Sequence, residues 1–142
     1  MIYADTSALL KRYITEQGSD GFDRLLLARG PLDISRLTVT EMRCALARRR
    51  RAGQIDTALE TSAITELRTD ILAGALRVSA ITDGHVVEAY AIIESLPALP
   101  LRALDAIHLA VARHLEVEEF ATSDKNQAEA ARALGFTVHD FS

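Results

Sequence analysis

Two hydrophobic periods alternate along the chain. Five brief apolar runs, each bounded by polar or turn residues, predict strands at Ile2 to Asp5, Leu32 to Ser35, Leu76 to Ser79, Glu119 to Thr122 and Thr137 to Phe141. Between them the spacing lengthens to that of a helix. Leu9, Leu10, Tyr13 and Ile14 form one stripe, Val39, Met42 and Leu46 a second, and Leu59, Ala63, Ile64, Leu67 and Ile71 a third. Val86, Tyr90 and Ile93 share a face, as do Leu104, Ile107, Val111 and Leu115, and all five stripes are expected to point into a core. Ala128, Ala131 and Leu134 lead to Gly135, whose freedom at positive φ suits a helix end. Helices that alternate with strands predict an α/β domain of three layers, a mainly parallel sheet covered by helices on both faces. No linker, repeat or low-complexity tract divides residues 1–142, so one domain is expected, with Pro97 and Pro100 marking a loop.

Composition narrows the class. A chain of 142 residues, 49% hydrophobic and 25% charged, can bury roughly 68% of its unfolded surface and needs no disulfide or structural metal. Disorder and fibrous repeats are excluded by only seven Gly and three Pro. No stretch without Asp, Glu, Lys or Arg exceeds seven residues, far below the ~20 needed to span a bilayer. The opening Met1-Ile2-Tyr3-Ala4-Asp5 lacks the basic and apolar regions of a secretion signal, and a cytoplasmic location is expected. The single Cys44 lies in an apolar helical segment and reads as an inert core thiol. A net charge of −4 means that any contact with nucleic acid must be local, through a basic patch or a bridging cation.

Sites in open α/β sheets lie beyond the carboxyl ends of the strands. Asp5, Glu41, Asp105 and Asp124 fall at or just after such junctions, or at a helix start. Each also has a local explanation: Asp5 as an N-cap, Thr38 with Glu41 as a capping box, Asp105 as compensation of a helix dipole, Asp124 with Gln127 as another cap. Their shared placement favours chemistry. At 5 Å and an effective dielectric near 20, each carboxylate pair repels by ~3 kcal/mol, so the cluster calls for a cation. Repulsion also predicts folded-state pKa values above the ordinary carboxylate range. Oxygen ligands without a Cys/His cluster suit Mg²⁺ or Mn²⁺, which can activate water against a phosphodiester.

These segments resemble the motifs of PIN-domain ribonucleases, particularly the small VapC-type toxins of toxin–antitoxin pairs. Ile2-Tyr3-Ala4-Asp5-Thr6-Ser7-Ala8-Leu9 is similar to the family's first acidic motif, Thr38-Val39-Thr40-Glu41 to its second, Asp105-Ala106-Ile107-His108-Leu109-Ala110 to its third, and Thr122-Ser123-Asp124 to its last. The resemblance spans essentially the whole chain. It implies a catalytic and metal-binding quartet of Asp5, Glu41, Asp105 and Asp124, a five-stranded parallel sheet, and a homodimer. It also implies RNA cleavage leaving a 5′-phosphate and 3′-hydroxyl, and a cognate antitoxin that blocks the site.

Several other residues change the picture less. Ser7 and Thr122 are placed to hydrogen-bond the proposed ligands from behind, or to cap. His108 lies on the apolar stripe of its helix and reads as a core histidine rather than a general base. Arg48 to Arg51 end a helix, where cations complement the dipole; RNA or antitoxin contacts are the alternative. Two other functions fit the fold class: a receiver-type phosphoryl acceptor, and a non-catalytic PIN-like scaffold that binds protein. Only Lys11 and Lys125 are present to serve the first, and the complete set of acids argues against the second.

Overall fold

The computed structural model describes residues 1–142. Its elements run β1 (Ile2–Ala4), α1 (Thr6–Tyr13), α2 (Ser19–Arg29), β2 (Leu32–Ser35), α3 (Arg36–Arg51), α4 (Thr57–Leu72), β3 (Leu76–Ser79), α5 (Asp83–Ser95), α6 (Ala103–His114), β4 (Glu119–Thr122), α7 (Lys125–Ala133) and β5 (Thr137–Asp140). The five strands are all parallel, in the order β3-β2-β1-β4-β5. Three of the expected strands match to the residue, and the other two end one residue early. The three-layer α/β architecture inferred from the two periods is the observed one, as is the five-stranded parallel sheet that the resemblance implied.

Strand alternation divides the interior in two. Ile2 and Ala4 of β1 point to a core shared with Leu32, Ile34 and side chains of α1 to α4, while Tyr3 between them joins Phe120 and side chains of α5 to α7 on the other face. The central strand is therefore buried on both sides, which is why it reads as an unbroken apolar run. Helix α7 ends as expected, with Gly135 at φ +93° just past its last turn.

Three expectations fail, and one element was missed. The stripe Val86, Tyr90 and Ile93 faces outward; α5 instead buries His85, Ala89 and Ile92. That helix is apolar on more than one side, and the alanine-rich face of α6 admits small Ala89 beside Ile92 rather than Tyr90. Leu59 and Leu104, at the first turns of their helices, are exposed as well. Cys44 is exposed, because the buried stripe of α3 is Thr38, Met42, Ala45 and Leu46. Helix α2 was not foreseen: only Phe22 among its apolar residues is fully buried, too little to register as a stripe.

No helix is long and apolar enough to cross a membrane.

Candidate active site

The strand order reverses direction at β1 and β4, and the crevice beyond their carboxyl ends is where a ligand site forms in such sheets. A cavity of about 590 Å³ opens there, and Asp5, Glu41, Asp105 and Asp124 all line it. The fold thus gathers the four acids from β1, α3, α6 and the end of β4.

Asp5 follows β1 directly and caps α1, accepting from the Ala8 amide at 3.0 Å. Ser7 donates to its Oδ1 at 2.7 Å, and Thr122 at the end of β4 donates to its Oδ2 at 2.6 Å. The Asp124 amide in turn donates to the Thr122 hydroxyl, and the Ser123 amide to the Ser7 hydroxyl. Both hydroxyls singled out in the sequence thus hold Asp5 and tie the β1 and β4 junctions together. Asp5 is only 4% exposed, and burial pushes its carboxyl above the ordinary range despite the nearby His108 charge and these hydrogen bonds.

Glu41 is not part of a cap. Helix α3 begins one residue after Ser35, and the capping box is formed by Ser35 with Thr38, which leaves Glu41 in the second turn. Its Oε1 accepts from the Thr6 hydroxyl at 2.7 Å and lies 2.5 Å from His108 Nε2. Burial acts to raise its pKa, but the bond and charge of His108, the Thr6 hydroxyl and Arg102 together hold it below the usual carboxylate range. The expected upward shift therefore appears at Asp5, where desolvation rather than repulsion is the chief cause, and is reversed at Glu41.

His108 is buried and hydrogen-bonded, as expected of a core histidine. Its Nδ1 meets the Tyr3 hydroxyl at 2.7 Å, and Tyr3 donates to Ser35 at 3.0 Å. Burial raises the Tyr3 phenol far above its ordinary pKa, so it stays neutral. This chain from β2 through β1 to α6 fixes the imidazole that orients Glu41. Sequence reasoning placed His108 in the core but missed its contact with a site carboxylate. The Tyr3–His108 pair is separated by 105 positions and has no local signature.

Asp105 sits in the first turn of α6, its Oδ2 3.2 Å from Arg102 Nε. Arg102, three residues earlier, is the cation nearest this carboxylate and was not foreseen. Asp124 caps α7 through the Gln127 amide at 2.9 Å, as its sequence context suggested. The Gln127 side-chain amide donates to the Asp105 carbonyl at 2.9 Å and so joins the starts of α6 and α7.

The donor set suits a hard divalent cation. Glu41, Asp105 and Asp124 each keep one carboxylate oxygen without a protein partner. No three or more His, Cys, Asp or Glu side chains lie close enough together to hold one ion among them.

Comparison with known proteins identifies relatives of the whole chain. The PIN domain family model matches residues 2–133. Ribonuclease VapC46 of Mycobacterium tuberculosis is 34% identical over 143 aligned residues, covering 96% of this chain and 95% of that protein. Among solved structures, VapC20 of M. tuberculosis, described as a sarcin–ricin loop cleaving toxin, superposes with a TM-score of 0.75 at 19% identity, covering 96% of this chain and 97% of its own. VapBC2 of Rickettsia felis, solved with a fragment of its promoter DNA, gives 0.67 at 14% identity over the full length of both chains.

Proposed function

This chain belongs to the PIN-domain family, and from that premise we propose that its cavity is the active site of a divalent-metal-dependent endoribonuclease, a toxin held in check by a cognate antitoxin. The observation that carries the reading is the lining of one cavity by Asp5, Glu41, Asp105 and Asp124 at the switch point of a parallel sheet. These four carboxylates are the proposed ligands, and Mg²⁺, replaceable by Mn²⁺, is the proposed ion. When bound, such an ion supplies Lewis acidity, activating water and neutralising charge on the phosphate as it is attacked in line.

The chain's own residues do the positioning. Ser7, Thr122 and the Ala8 amide fix both oxygens of Asp5, while Thr6 and His108 hold one oxygen of Glu41 and leave the other available. Arg102 neutralises Asp105 and lies at the mouth of the cavity, within reach of an incoming phosphate. Hydrolysis adds water oxygen to phosphorus and breaks the bond to the 3′ oxygen, leaving a 5′-phosphate and a 3′-hydroxyl.

The receiver-type alternative needs a lysine beside a phosphoryl-accepting Asp. Neither Asp5 nor Asp105 has a lysine partner. A homodimer is the proposed assembly. The apolar residues Val86, Val87, Tyr90 and Ile93 exposed on α5 support it, because they form a contiguous helical face open to a second copy.

Purified protein is expected to cleave single-stranded RNA with Mg²⁺ or Mn²⁺ and not in EDTA. Asp5→Asn and Asp105→Asn should each lower the rate by at least roughly a hundredfold, as expected for loss of a metal ligand. Cleavage that persists in EDTA, or in both variants, would show that the reaction does not use this metal site.

A further inference from the structure

The run Arg48 to Arg51 is divided by the fold. Arg50 turns to Glu60 at 2.7 Å, and Arg51 is exposed outside the cavity. Arg48 and Arg49 line the cavity. Arg49 pairs with Glu16 at 2.8 Å, and the same carboxylate takes Lys11 at 3.1 Å. Arg48 is exposed and has neither an ion pair nor a side-chain hydrogen bond. The rim between α1 and α3 thus carries three cations, Lys11, Arg48 and Arg49, against the one anion Glu16, whereas the cavity floor carries four acids, with Arg102 above them at the mouth. One cavity holds two zones of opposite charge.

Helix geometry sets the distance between them. Glu41 and Arg48 both line the cavity from α3. Seven residues at 100° each bring them back to nearly the same face, about 10 Å apart along the axis. Nucleic-acid phosphates are spaced roughly 3.4 Å per nucleotide when stacked and up to about twice that when extended, so 10 Å corresponds to about two nucleotides.

We propose that Arg48, supported by the Lys11–Glu16–Arg49 cluster, is a backbone-phosphate subsite. It holds RNA about two nucleotides from the phosphate being cleaved, so that the strand lies along α3. This rests on the ribonuclease reading above. An acidic peptide would be attracted to Arg48 but repelled by the floor, and a basic one would be repelled by Arg48. A polyanion bridged to the floor by a cation satisfies both zones. The subsite also answers the net charge of −4, which leaves phosphate attraction to local groups.

The test compares wild type, Arg48→Ala, Arg48→Gln and Arg48→Lys, with Arg51→Ala as the exposed comparison from the same run. Melting curves establish that each variant is folded. Arg48→Ala and Arg48→Gln should raise KM for a single-stranded RNA oligonucleotide roughly tenfold with kcat within about twofold, while Arg48→Lys retains most of the affinity and Arg51→Ala is unchanged. Binding of a non-cleavable analogue of the same RNA with Mg²⁺ present, measured against salt, should lose about 0.7 from its log–log slope in Arg48→Ala, the value of one single-strand phosphate contact. Oligonucleotides shortened to one nucleotide on the relevant side of the cleaved bond should bind wild type and Arg48→Ala equally.

If wild type cleaves RNA and Arg48→Ala matches it in KM and in salt slope, the subsite is wrong while the ribonuclease reading stands. The same holds if Arg48→Ala weakens only capture of a co-expressed antitoxin, since the arginine then serves a protein partner. Failure of wild type to cleave any RNA with any divalent ion overturns the reading beneath it instead.

Discussion

At Asp5 the fold buries a carboxylate and surrounds it with three donors, yet its pKa still lies above the ordinary value. Ionisation of Asp5 therefore costs the metal-free fold nothing below the unfolded pKa near 4, and an increasing amount as pH rises from there to the raised folded value. Glu41 has the opposite sign. Its folded pKa is depressed, so its stabilising contribution is present above the unfolded value near 4.3 and is lost as pH falls through the folded one. In metal-free protein at pH 7, Asp5→Asn should raise Tm and Glu41→Gln should lower it. Both differences should fade when melts are repeated near pH 3.5. Shifts of the same sign at pH 7 would contradict the separate electrostatic surroundings of these two acids.

The helices show how far a stripe can be trusted. In α1, Leu9, Leu10 and Tyr13 all reach the core, because the helix is flanked by polar residues that leave a single apolar side. In α5 the outward stripe and the inward one are both apolar, and only packing against α6 selects Ala89 and Ile92. Ile92→Ala should therefore cost about 2–4 kcal/mol in thermal or urea denaturation, as for a buried aliphatic side chain. Val87, 64% exposed, should tolerate Asp within about 0.5 kcal/mol in the monomer. If the exposed face joins two copies, Val87→Asp should move wild-type dimers to monomers in sedimentation at micromolar concentration. Equal stability losses at Ile92 and Val87 would mean that the face has been assigned the wrong way round.

Over the whole molecule, the sheet acts as a frame that brings four acids from four chain segments to one opening. Ion binding to the native state alone stabilises by mass action, about 2.7 kcal/mol at a hundredfold excess over Kd, which is a rise in Tm of roughly 5–10 °C here. Wild type should show that rise with millimolar Mg²⁺, and Asp5→Asn and Asp105→Asn much less. Equal rises in all three proteins would return Asp5 and Asp105 to their local roles in helix starts. Asp5 and Asp124 cap α1 and α7, and at Asp124 capping and ligation need not compete. A cap uses one carboxylate oxygen, and at Asp124 the other remains unpartnered.

The sequence by itself determined what depends on neighbours within a turn or a strand. Brief apolar runs bounded by polar or turn residues located the five strands, and Gly135, Asp5 and Asp124 marked element ends, because φ freedom and capping are local properties. Asp5 and Asp124 were legible for the same reason, each standing at a strand-to-helix junction that parallel topology sends to one edge, whereas Glu41 lies in the second turn of α3 and Asp105 at the start of α6 after a helix. Contacts between distant segments were decided only by tertiary structure. Tyr3 with His108, His108 with Glu41, and Thr6 with Glu41 join residues 105, 67 and 35 positions apart, and no spacing in one chain encodes such pairs. The same holds for the exposure of Cys44 and for the division of four consecutive arginines, since successive side chains leave a helix 100° apart and meet whatever the fold has placed there.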